Sequence, residues 1–130
     1  MKKVIINALV IFGLFTRVIA QDQLLQDIAT SLRASNAHQL VNYMGISTKV
    51  KTQEETKYLN KVSAEKALRE FFNANKVKDF QFTTPAKTVN SMFYIIGEYL
   101  TYEGASYRVY LLFKEENKKH VLSTLSFSTE

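Results

Sequence analysis

The chain has 130 residues, 46% of them hydrophobic and 22% charged, with no cysteine and a formal net charge of +5. That length allows one domain rather than two, and the lack of cysteine excludes disulfides, thiolate nucleophiles and cysteine-based metal sites. The basicity is unevenly placed: Lys2, Lys3 and Arg17 supply three of the five net charges, so residues 21–130 carry only +2 and have an ordinary globular composition.

Met1 to Lys3 form a positive start, Val4 to Phe15 is apolar apart from Asn7 and Gly13, and Val18-Ile19-Ala20 ends in small residues. This is the pattern of a secretory signal peptide cut between Ala20 and Gln21. A run of about 12 apolar residues spans about 18 Å as a helix, short of the roughly 20 residues a bilayer needs. A lipid anchor would require a cysteine after the cut. Residues 21–130 are therefore expected to be a single periplasmic or secreted domain with no membrane span, stabilised by a packed core alone.

Leu24, Leu25, Ile28 and Leu32 recur at helical spacing after Asp22, which predicts an amphipathic helix over Gln23 to Ala34. Ser35-Asn36 interrupts it, and Leu40, Val41 and Met44 suggest a shorter helix from Ala37 to Tyr43 closed by Gly45. Ile46, Thr48, Val50 and Thr52 alternate with polar residues, as on a strand with one buried face. Gln53 to Lys61 is polar and fits a hairpin arm or a loop equally well. Ser63 reads as the N-cap of the clearest helix, in which Ala64, Ala67, Leu68, Phe71 and Phe72 form one apolar stripe.

From Phe80 the period changes to two, and strands are expected at Phe80 to Phe82, Asn90 to Tyr102, Ala105 to Glu115 and His120 to Thr129. A two-residue loop at Glu103-Gly104 would set the register of the central hairpin. Leu100, Glu98, Ile96 and Tyr94 would then share the helix-covered face with Tyr107, Val109, Leu111 and Phe113. Tyr99 would lie beside Arg108 on the other face, with Tyr110 and Leu112 near it. The last strand depends on the parity of the turn at Glu116 to Lys119, because a slip of one residue exchanges the faces. An odd-numbered loop, which sends Val121, Leu125 and Phe127 to the helix side, completes a single core.

The leader, the short α-α-β start, the run from Ser63 to Phe72, the Phe80-Gln81-Phe82 strand and the Tyr107 to Phe113 strand together resemble one family of small exported Bacteroidetes proteins, DUF4783. The resemblance spans roughly Leu24 to Phe127. It implies an α+β fold similar to nuclear transport factor 2 (NTF2) and the cystatin-like cone, with short N-terminal helices on a curved antiparallel sheet in the order α-α-β-α-β-β-β-β. It brings no catalytic residue and no cofactor, and a cone fold alone does not choose among functions.

Glu98 draws attention as a carboxylate expected among apolar residues, where desolvation would raise its pKa and suit it to acid/base work. Tyr94 and Tyr107, on the same expected face, could donate hydrogen bonds to a ligand. Tyr99, Arg108, Tyr110 and Leu112 make the other face too aromatic for a freely solvated surface, which suggests a second protomer. His38 and His120 lack companions at metal-ligand spacing, so no metal site is expected. No phosphate loop or hydrolase motif is present, and a charge of +2 gives no nucleic-acid footprint. The expected function is a non-enzymatic exported binding or interaction module, homodimeric through its open sheet face. The alternative is a carrier of a small, hydrophobic ligand or a lyase- or isomerase-like enzyme using the cone interior, with Glu98 as the acid or base; a third reading is a structural accessory subunit partnered with a cell-envelope protein.

Overall fold

The computed structural model describes residues 21–53 and 55–129, so the leader read in residues 1–20 lies outside the described residues. Among the described residues there are three helices: α1 (21–33), α2 (Ala37–Val41) and α3 (Lys61–Ala74). The strands are β1 (Met44–Thr52), β2 (Glu55–Leu59), β3 (Val77–Phe82), β4 (Lys87–Val89), β5 (Met92–Thr101), β6 (Ser106–Glu116) and β7 (Lys119–Thr129). They form one curved, unclosed sheet in the order β2-β1-β7-β6-β5-β3, with β4 also on β5. Every pairing is antiparallel except β1 with β7. The α+β architecture is the expected one, with two strands added. The undecided stretch after Gln53 is the hairpin arm β2, and the fully exposed β4 has no apolar alternation to announce it.

Local chemistry ends the helices where the sequence interrupts them. Ser35 adopts φ 52°, and the Asn36 N–H reaches the Ser31 carbonyl at 2.8 Å while the Ser35 N–H reaches that of Leu32 at 3.2 Å. This is the left-handed closure that satisfies a helix C-terminus. Asn36 then caps α2 through its side chain, which accepts from the Gln39 N–H at 3.0 Å. For α3 the cap is Asn60 rather than Ser63: the Asn60 side chain accepts from the Ser63 N–H at 2.9 Å, so the helix begins three residues earlier than expected.

The central hairpin differs from its expected register by one residue. Thr101 and Ala105 close it, with Thr101 N–H donating to the Ala105 carbonyl at 2.9 Å and Ala105 N–H donating to Thr101 Oγ1 at 3.0 Å. The loop is therefore the three residues Tyr102, Glu103 and Gly104, with Gly104 at φ +88°, a conformation glycine adopts without cost. Tyr99 consequently pairs with Tyr107, Gly97 with Val109 and Ile95 with Leu111, and Glu98 faces Arg108. All of β5 is turned over relative to β6.

The last turn also corrects the reading. Asn117 and Lys118, at φ 52° and 63°, form a two-residue loop between Glu116 and Lys119, an even connection of the primed type. Val121 accordingly lies opposite Lys114, away from the helices. Parity is restored one step later, because Phe113 pairs with Leu122 but Leu112 with Thr124, leaving Ser123 as an extra residue. Its hydroxyl donates to the Leu112 carbonyl at 3.2 Å. Beyond this bulge Leu125 and Phe127 point into the core, both fully buried. In β1 the expected buried face holds for Thr48 and Val50 but not for Ile46, which is 82% exposed at a register shift between Met44 and Lys49.

The core between α1 to α3 and the covered face of the sheet is aromatic. Phe71 sits at its centre, with ring centroids 4.4 Å from Phe127, 5.2 Å from Tyr107 and 5.8 Å from Tyr99. Gly97 lets Phe80 cross over β5: a Cβ there would lie 2.5 Å from Phe80 Cζ and 2.9 Å from the Gln81 carbonyl oxygen. Only a residue without a side chain allows that approach.

Candidate functional site

The register decides which side chains can act. Glu98 is exposed on the uncovered face opposite Arg108, and Tyr94 is on that face too, half-buried. Tyr107 keeps its expected place on the helix side, so Tyr94 and Tyr107 are on opposite sides of the sheet. The cone interior that Glu98 was expected to serve is filled by Phe71, Phe72, Phe80 and Leu111, each buried. An acid or base role for Glu98 inside the cone therefore has no geometry behind it. The cause is the odd loop at residues 102–104, which exchanges the faces of one strand.

Tyr99, expected at an interface, is fully buried. Its hydroxyl donates to the Asn75 carbonyl at 2.6 Å, while the Tyr107 hydroxyl donates to Asn75 Oδ1 at 2.7 Å and Asn75 Nδ2 donates to the Phe71 carbonyl at 3.1 Å. Burial pushes the Tyr99 phenol up to about 12, so it stays a neutral donor. Asn75, just past α3, thus satisfies two core tyrosines at once. Sequence reading passed over it because one asparagine among several in a polar stretch carries no periodic signal.

The uncovered face keeps Arg108, Tyr110 and Leu112 as expected and gains Tyr94, Ile96 and Leu100 in place of Tyr99. Ile96 is the cross-strand neighbour of Tyr110, and Tyr94 that of Leu112. The Tyr94 and Tyr110 rings lie 5.7 Å apart. All five apolar members are half-buried, with no helix or strand of the described residues laid over them. Glu98 and Arg108 flank them with one charge of each sign, so the patch is apolar and electrically balanced.

Elsewhere, His38 Nδ1 lies 2.8 Å from Glu65 Oε1, and Arg69 holds Glu65 Oε2 at 2.6 Å, tying α2 to α3 at the surface. The His38 hydrogen bond, with help from the Arg69 guanidinium, holds the Glu65 carboxyl below its ordinary value. His120 is elsewhere, its ring 5.1 Å from that of Phe93. Among the described residues no group of three or more His, Asp or Glu side chains is placed to hold a metal ion, and no helix is long and apolar enough to cross a membrane.

A family model described as a domain of unknown function, DUF4783, matches residues 25–128. The chain belongs to the DUF4783 family. A DUF4783 protein from Bacteroides ovatus has a crystal structure that superposes with a TM-score of 0.73 at 22% identity, covering 80% of this chain and 93% of that one. Its counterpart from Bacteroides uniformis gives 0.74 at 20% identity, covering 81% and 95%. A Streptomyces avermitilis protein of the NTF2-like family gives 0.65 at 9% identity, covering 88% and 96%, and cystatin-like folds are among the other neighbours. No functionally curated protein matches the chain. At these identities the structural likeness establishes the DUF4783 fold as NTF2-like and says nothing of chemistry.

Proposed function

We propose that this DUF4783 protein is an exported, non-enzymatic interaction module that pairs with a second copy of itself through the uncovered face of β5 and β6. The observation that carries the reading is the contiguous patch of Tyr94, Ile96, Leu100, Tyr110 and Leu112, over which no helix or strand of the described residues is laid. Patches of this kind mark association surfaces. Glu98 and Arg108 face each other across the two strands, so a two-fold pairing can set each charge against its opposite on the other copy. The filled cone supports the non-enzymatic part, since the interior that related folds could use for small molecules is occupied by this chain's own phenyl rings.

Light scattering on residues 21–130 at high micromolar concentration is expected to give the mass of a dimer. The variant Tyr110→Lys with Leu112→Lys is expected to run as a monomer with an unchanged far-ultraviolet spectrum. A monomeric wild type at that concentration overturns the pairing. Periplasmic fractionation of the full chain in its native cell, with amino-terminal sequencing of the product, tests export and the cut at Gln21; an uncut cytoplasmic product overturns both.

A further inference from the structure

At the end of the sheet away from Asn75, residues 21–27 of α1, the amino-terminal end of α3, the start of β1 and the β6–β7 turn border an open groove of about 1680 Å³. That volume exceeds the roughly 300–1,000 Å³ of a small-molecule pocket, so the groove has room for a ligand of several linked units. Its lining has a marked chemical bias. Gln21 and Gln23 from α1, Gln39 and Asn42 from α2 and its end, Asn60 from the cap of α3 and Asn117 from the turn all border it. Six carboxamides from four separate elements converge on one surface.

The charges of the groove cancel: Asp27, Glu115 and Glu116 are matched by Lys61, Lys118 and Lys119. The carboxamides retain hydrogen-bonding capacity. Gln23 donates to Asp27 and Gln39 to the Tyr43 hydroxyl, which leaves their carbonyl oxygens as acceptors, and Asn60 uses its oxygen to cap α3, which leaves its NH₂ as a donor. Half-buried Tyr43, with Ile46 and Val62 each 82% exposed, adds apolar surface beside them.

We propose that this groove binds an uncharged oligosaccharide. A neutral sugar presents hydroxyls that each donate and accept, the complement of a carboxamide, together with apolar C–H faces that rest on Tyr43, Ile46 and Val62. A charged ligand would meet no net opposite charge, and an apolar one would strip water from six amides without replacing their hydrogen bonds. The site lies at the end of the sheet and does not depend on pairing through β5 and β6.

The probes are maltohexaose, cellohexaose, chitohexaose and mannohexaose, with polygalacturonate and a Gly-Ser hexapeptide as controls, titrated into residues 21–130 by calorimetry and by amide chemical-shift mapping. The expected result is binding of at least one neutral hexasaccharide with shifts confined to residues 21–27, 39–46, 60–62 and 115–121. The pair Gln39→Leu and Asn42→Leu, whose side chains are exposed, is expected to weaken it at least tenfold without moving the melting temperature. Ile46→Ser, which removes apolar surface only, is expected to weaken it a few fold. The proposal is overturned if no hexasaccharide binds at millimolar concentration, if the shifts fall on the uncovered face, if the double variant binds equally well, or if the peptide or the polyanion binds more tightly.

Discussion

The two faces of the β5–β6 hairpin are built from similar residues and have opposite fates. On the covered face Tyr99, Tyr107, Val109 and Leu111 are buried, the two tyrosine rings beside Phe71 of α3, and both tyrosine hydroxyls are satisfied by Asn75. On the other face Tyr94, Ile96, Tyr110 and Leu112 are comparably apolar, yet they stay half in solvent. Aromatic content alone therefore does not distinguish core from interface. What distinguishes them is the company: a polar partner for each hydroxyl and a helix opposite on one side, and only neighbouring strands on the other.

Substitution on each face should make the contrast measurable. The largest effect is expected from Phe71→Ala, which empties the centre of the ring cluster and should cost about 3–5 kcal/mol in denaturant unfolding. Tyr94→Ala, an aromatic truncation on the open face, should cost about 1 kcal/mol or less. Equal losses would mean that the open face is part of the folding core. Next in size is Gly97→Ala, whose new Cβ would collide with Phe80 and the Gln81 carbonyl; about 1–3 kcal/mol of destabilisation is expected. The same change at Gly104 meets no atom within 4 Å and is strained only by its positive φ, so it should cost about 1 kcal/mol.

The smallest expected effect concerns pH. The Tyr99 phenol titrates near 10.0 when unfolded and at about 12 when folded. Its contribution is complete below pH 10 and is lost as pH rises towards 12, because the unfolded chain releases the proton first. Chemical denaturation at pH 9 and pH 11 should show lower stability at the higher pH. Tyr99→Phe should reduce that difference while costing about 1 kcal/mol at neutral pH for the lost hydrogen bond to Asn75. An unchanged pH 9 to pH 11 difference in the variant would show that other groups cause it.

Much of the fold could be read from periodicity. Of the expected stripe, Ala64, Leu68, Phe71 and Phe72 are buried and Ala67 is half-buried, and the alternation of Tyr107, Val109, Leu111 and Phe113 puts those residues on the helix side. Those elements have one apolar face, so burial admits a single solution. The strand β5 was harder because both of its faces are apolar: Phe93, Ile95 and Tyr99 are no more hydrophobic than Tyr94, Ile96 and Leu100. The candidate site inherited that ambiguity, which is why Glu98 and Tyr99 exchanged places while Arg108, Tyr110 and Leu112 did not.

By itself, then, the amino-acid order determined the α+β class, the helical stripe and the strand-rich second half, because each is written in local spacing. Which face of β5 is buried, and how β7 recovers its register, were decided only by the tertiary structure. Two backbone details hold those answers: Gly104 at φ +88° in a three-residue loop and the extra Ser123 in β7. Each changes parity by one residue, a shift that costs the hydrophobic pattern almost nothing yet moves every side chain of a strand to the opposite face.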